Sequence, residues 1–131
     1  MKFNFTYSLD GSGWADSTWY CAGDTVEISS ISYLSDAFLS LSEAVDDLLN
    51  GRQETSCEFD HEPGRTKIRF ILNDKLVIIE IFDFGDTYKE IPYEQAKLLF
   101  KCETTLLRLK SKFLEAARTL SLAKLLWTPY S

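Results

Sequence analysis

Apolar and polar residues alternate at the start of the chain. Phe3, Phe5, Tyr7 and Leu9 are interleaved with Asn4, Thr6 and Ser8, the period-two signature of a strand with one buried face. Asp10-Gly11-Ser12-Gly13 breaks the run, and a second extended segment follows from Trp14 to Cys21. Ala22-Gly23-Asp24 then turns the chain into a third, Thr25 to Ile31, which puts Val26 and Ile28 on one face. The two segments read as a hairpin. From Leu34 the period changes. Leu34, Phe38, Leu41, Val45, Leu48 and Leu49 fall at helical spacing, Ser32 or Ser35 can cap the helix, and Asn50-Gly51 supplies a left-handed stop.

Period two returns afterwards. In Thr55 to His61, Cys57, Phe59 and His61 share a face. Glu62-Pro63-Gly64-Arg65 suits a type II turn. Arg65 to Leu72 sets Ile68, Phe70 and Leu72 against Lys67, Arg69 and Ile71, and Leu76 to Phe84 completes a meander. A two-residue loop at Asn73-Asp74 predicts that Lys67 faces Glu80 and Phe70 faces Val77. Pro92 opens a stretch free of Gly and Pro up to Trp127. Within it Leu99, Cys102, Leu106, Leu109, Phe113, Ala116, Leu120, Ala123 and Trp127 repeat at alternating steps of three and four, a heptad seam. One straight helix there would be about 54 Å long, longer than a domain of this size is wide. A break near Ser111 or Arg118–Ser121 is therefore expected. The reading is a single α+β domain over residues 1–131: an antiparallel sheet of about five strands, with a central helix and a long C-terminal helix packed on one face.

Charge adds what pattern does not. Residues 1–91 hold 17 of the 20 acidic and 7 of the 14 basic residues, while residues 92–131 hold 3 and 7. An acidic body is thus followed by a basic helix. Acidity on this scale attracts cationic partners, although packing the helix on the body would neutralise part of it. A pI near 4.8 disfavours nucleic acid and anionic membranes as partners. The opening residues alternate instead of forming the apolar run of a secretory signal. Cys21, Cys57 and Cys102, odd in number and widely spaced, are expected to be free thiols in a reducing compartment. A cytoplasmic location follows from these two readings.

No motif identifies a reaction, and no cofactor or metal is expected. His61 has Asp60 and Glu62 as neighbours, but strand alternation sends them to opposite faces. The cysteines lack zinc-type spacing, and Gly11-Ser12-Gly13 lacks the Lys-Ser/Thr of a phosphate loop. The aromatic cluster Trp14, Trp19 and Tyr20 is expected in the core. The carboxylates of the first helix and of the end of the meander remain. Asp36, Glu43, Asp46, Asp47, Asp83 and Asp86 are the candidate partner-binding residues, placed on exposed faces where they can meet a basic protein.

Two stretches carry a resemblance: Ser32-Tyr33-Leu34-Ser35-Asp36-Ala37, leading into a helix that ends Leu48-Leu49-Asn50-Gly51, and Glu62-Pro63-Gly64 before a strand. With Gly13-Trp14-Ala15 upstream, they resemble a group of small acidic bacterial proteins over roughly residues 13–84. Size, acidity and the α+β pattern also resemble the immunity proteins of bacterial contact-dependent growth inhibition and related toxin systems. That resemblance implies a non-enzymatic binder of a cognate toxin domain, often a basic nuclease, and transfers no particular residue. A monomer is expected for such an inhibitor. The other reading is an acidic secretion chaperone, dimerising through the heptad seam around an effector segment.

Overall fold

The computed structural model describes residues 3–9, 14–32, 37–61, 64–85 and 90–126. They form seven strands and two helices. Strands β1 (Phe3–Leu9), β2 (Trp14–Cys21) and β3 (Asp24–Ser32) make one antiparallel sheet in the order β1-β2-β3. Strands β4 (Glu54–Asp60), β5 (Arg65–Asn73), β6 (Leu76–Asp83) and β7 (Lys97–Thr105) make a second, in sequence order. Helix α1 (Ala37–Leu49) lies between the sheets in sequence, and helix α2 (Leu106–Leu126) ends the described chain.

Two sheets replace the expected one, and β7 occupies the first part of the expected long helix. The reason is legible in the residues. Phe100, Cys102 and Thr104 are buried while Lys101, Glu103 and Thr105 are exposed, so the segment alternates with period two. Of these buried positions only Cys102 also belongs to the heptad count, which runs through the exposed Leu99, and pairing with β6 decides for the strand. The helix then begins at Leu106, where Thr105 Oγ1 accepts the Arg108 N–H at 3.1 Å as an N-cap. At about 1.5 Å per residue its 21 residues span about 31 Å. It runs unbroken through Ser111 and Arg118–Ser121, so the length problem is solved at its start and not by an internal break. Pro92 precedes a short 3-10 turn at Tyr93–Gln95.

The core fills the space between the sheets and helices. Phe3, Phe5 and Tyr7 of β1 meet Trp19 of β2, with the Phe5 and Trp19 rings stacked 4.5 Å apart. Ile68, Phe70, Val77, Ile79 and Ile81 line the second sheet, and Leu41, Val45 and Leu48 close it from α1. A register shift in β2–β3, beside Ser30 at φ 57°, allows both Ile28 and Ile31 to turn inward. Of the early aromatics, Trp19 is fully buried, Trp14 is half-buried and Tyr20 is exposed. Leu109, Ala116 and Leu120 of the seam are buried and Phe113 is half-buried. Phe113 stacks on Phe38 of α1 at 5.4 Å, and the Arg108 Nε–H donates to the Phe3 carbonyl at 3.1 Å. Leu109, Phe113, Ala116 and Leu120 of the seam therefore pack on this chain's own body, which leaves them unavailable to the chaperone-like dimer; Trp127 and the side chain of Ala123 lie outside the described residues.

Two local expectations are corrected. The β5–β6 turn lies one residue later than expected, at Asp74-Lys75, with Asp74 at φ 58°. Arg69 therefore faces Glu80, Lys67 faces Phe82, and Phe70 faces Ile79. A two-residue slip keeps every side chain on its original face, so the hydrophobic pattern could not choose between the registers. The thiols are the second correction. Cys21 of β2 and Cys102 of β7 form a disulfide, Cα atoms 6.0 Å apart, that ties the two sheets together. Only Cys57 is free, and it is buried. With two of its three cysteines bonded, the chain gives no sign of a reducing compartment.

Candidate partner-docking surface

Helix α1 ends where its sequence says it should. Gly51, at φ +99°, donates its N–H to the Leu48 carbonyl, and Arg52 donates to that of Asp47, each at 3.0 Å. This is a Schellman stop. It reverses the chain within a few residues, so β4 runs back beside the helix. The backbone N–H of Glu58 donates to Ser40 Oγ at 3.3 Å, and Thr55 Oγ1 donates to the Ala44 carbonyl at 3.1 Å. Side chains of α1 thus cover the outer edge of β4, a sheet edge that would otherwise be open to pairing.

A shallow groove of about 300 Å³ follows this seam, lined by Ser40, Glu43 and Asp47 of α1, by Glu54 and Ser56 of β4, and by Arg52 of the connection between them. Arg52 lies 3.7 Å from Asp47 across solvent-exposed surface, a weak pairing. Among the described residues Glu43, Asp46 and Glu54 form no ion pair. The groove therefore presents an excess of negative charge, extended by Asp46 on the exposed face of α1.

The sequence-derived residues divide accordingly. Glu43 and Asp47 share the groove, and Asp46 adjoins it. Asp83 does not belong to it: it is half-buried in β6, separated from β4 by β5, and its carboxylate accepts the Gly85 N–H at 2.8 Å. Asp36 and Asp86 lie outside the described residues. Glu54 was missed, although the four residues between α1 and β4 leave it nowhere to go but alongside the end of the helix.

Other acids are already matched, and by the sheet rather than by α2. On the outer face of the second sheet Arg65 meets Glu58 at 2.8 Å and Glu90 at 3.1 Å, and Lys67 meets Glu90 at 2.8 Å. Arg69 lies 3.1 Å from Glu80. Lys67 also sits over the Phe84 ring and Arg69 over the Tyr93 ring, at 4.8 and 4.6 Å. Hydrogen bonds from Lys67 and then Arg65 hold the Glu90 carboxyl below the ordinary glutamate range. Burial, reinforced by the nearby Glu58 charge, pushes the Cys57 thiol well up. His61 is paired within its own turn, its Nε2 2.8 Å from Thr66 Oγ1. Among the described residues no group of three or more His, Cys, Asp or Glu is placed to hold a metal ion.

No family model matches the sequence, and no curated protein matches it. Among solved structures the fold is similar to a chain of the CdiA-CT/CdiI toxin and immunity complex from Enterobacter cloacae. The TM-score is 0.58, and the match spans 89% of this chain and 99% of that one at 10% identity. The resemblance of type to immunity proteins of contact-dependent inhibition, read first from size, acidity and pattern, is thus met at the level of fold.

Proposed function

We propose that this protein is an immunity protein, a stoichiometric and non-catalytic inhibitor that binds a cognate bacterial toxin domain. The shared fold with a chain of a toxin and immunity complex is the observation that carries this reading. The acidic groove between α1 and β4 supplies the docking surface. Glu43, Asp46, Asp47 and Glu54 meet a basic face of the toxin, such as the nucleic-acid-binding side of a nuclease. Opposite charge accelerates encounter and fixes orientation, while the polar walls accept hydrogen bonds from Lys or Arg side chains.

The test is co-expression with the variable C-terminal domain of a large secreted protein, should the adjoining gene encode one. The expected result is rescued growth and a one-to-one complex that survives purification. Growth arrest despite soluble, folded protein would refute the assignment.

A further inference from the structure

Helices α1 and α2 each carry exposed leucines aligned with charged residues, and these two stripes are opposite in charge. On α1, Leu39 (55% exposed) lines up with Glu43 and Asp46 at helical spacing. On α2, Leu107 (76% exposed) and Leu114 (53% exposed) line up with Lys110 and Arg118 and border a shallow groove, whose lining acid, Glu115, is already paired with Lys112 at 2.9 Å. Among the described residues none of these four charged groups forms an ion pair. Leu107 and Leu114 line one groove, so their exposed apolar surface is shared and not scattered singly. The helices carrying them touch each other through the stacked rings of Phe38 and Phe113.

We propose that these stripes pair between two copies of this chain, α1 of each on α2 of the other. Charge complementarity selects the occupant. Pairing α2 with α2 would oppose cations, and pairing α1 with α1 would oppose carboxylates. The crossed arrangement matches each leucine-and-acid stripe to a leucine-and-base stripe. With α1 of each copy on α2 of the other, the two contacts are equivalent, and a two-fold axis between them closes the assembly as a dimer. The contact is a few side chains wide, so the dimer is weak and reversible, unlike an obligate one. It also covers Glu43 and Asp46, so a second copy and a cationic partner compete for that face. The inference stands without the toxin reading, since its test contains this chain alone.

The test is sedimentation velocity at low salt on the intact chain. The wild type is expected to shift from monomer to dimer as concentration rises. Lys110→Glu with Arg118→Glu should weaken self-association at least about tenfold, and Glu43→Lys with Asp46→Lys should do the same. An equimolar mixture of the two variants restores complementarity at both contacts, so a heterodimer should form. All four positions are exposed. If a reversal lowers the melting temperature, the same positions changed to Gln replace it; each Gln variant should weaken the dimer, and their mixture should recover part of the loss through the one contact that keeps its native charges. A wild type that stays monomeric throughout, a dimer that neither variant weakens, or a mixture without recovery would each overturn the proposal.

Discussion

The Cys21–Cys102 bond gives the sharpest expectation about stability. It joins strands of different sheets across 81 residues of sequence. Cross-linking an unfolded chain over that separation removes loop-closure entropy of roughly 15 cal/mol/K, or about 4.5 kcal/mol at 25 °C. For a domain of this size that corresponds to a melting-temperature difference of about 15 °C. The perturbation is reduction by a dithiol, which converts the bridge to two thiols and leaves every side chain in place. The assay is urea denaturation of oxidised and reduced protein, paired with thiol counting by alkylation and mass. The native oxidised chain should expose no reactive thiol, because Cys57 is buried and its thiolate is disfavoured. Unfolding without reductant should release one thiol, and unfolding with reductant three. Three thiols released without reductant, or coincident urea midpoints, would refute the reasoning.

Further expectations follow from single positions. Leu109, fully buried between α2 and the body, should cost about 2–5 kcal/mol on change to Ala, read from the denaturation midpoint. Gly64 sits at φ +123°, with the Gly85 carbonyl oxygen 3.0 Å from where a Cβ would stand; Gly64→Ala should destabilise by about 1–3 kcal/mol in the same assay. The β5–β6 register is tested by charge exchange. Arg69→Glu should destabilise and Glu80→Arg beside it should recover much of the loss, whereas Lys67→Glu should gain nothing from Glu80→Lys. Glu90 has its pKa lowered by Lys67 and Arg65. Its contribution is therefore present above the unfolded-state glutamate pKa and fades as pH falls through the lower folded value. Glu90→Gln should flatten this part of the acid limb of the stability–pH curve, modestly and less so in high salt.

Elements with one unambiguous period were legible in the sequence. The alternation of Phe3, Phe5 and Tyr7, the helical spacing from Phe38 to Leu48, and the Asn50-Gly51 stop all appear as read. What escaped were places where two physical readings coexist. In residues 97–105 a heptad step from Leu99 to Cys102 runs beside a strand alternation at Phe100, Cys102 and Thr104, and pairing with β6 separates them. Taking them as helix also hid the disulfide, because Cys102 reaches Cys21 only from a strand. The β5–β6 hairpin tolerated a slip that left both faces unchanged. At the docking surface, Glu43 and Asp47 were visible as an exposed helix face, but Glu54 joins them through a chain reversal that no periodicity encodes. Asp83 looked equivalent by charge alone; its position in β6 and its bond to the Gly85 N–H set it apart.

The central claim is that the α1–β4 surface binds a toxin domain through its charge. The direct measurement is calorimetric titration of a candidate toxin domain, one whose toxicity this protein relieves on co-expression, with the wild type and with Asp46→Lys plus Asp47→Lys. Saturating one-to-one binding by the wild type is expected. The variant, with an unchanged far-ultraviolet circular dichroism spectrum, should bind at least about a hundredfold more weakly, since like charges set opposite one another at an interface cost several kcal/mol. Equal affinities for wild type and variant would contradict the account.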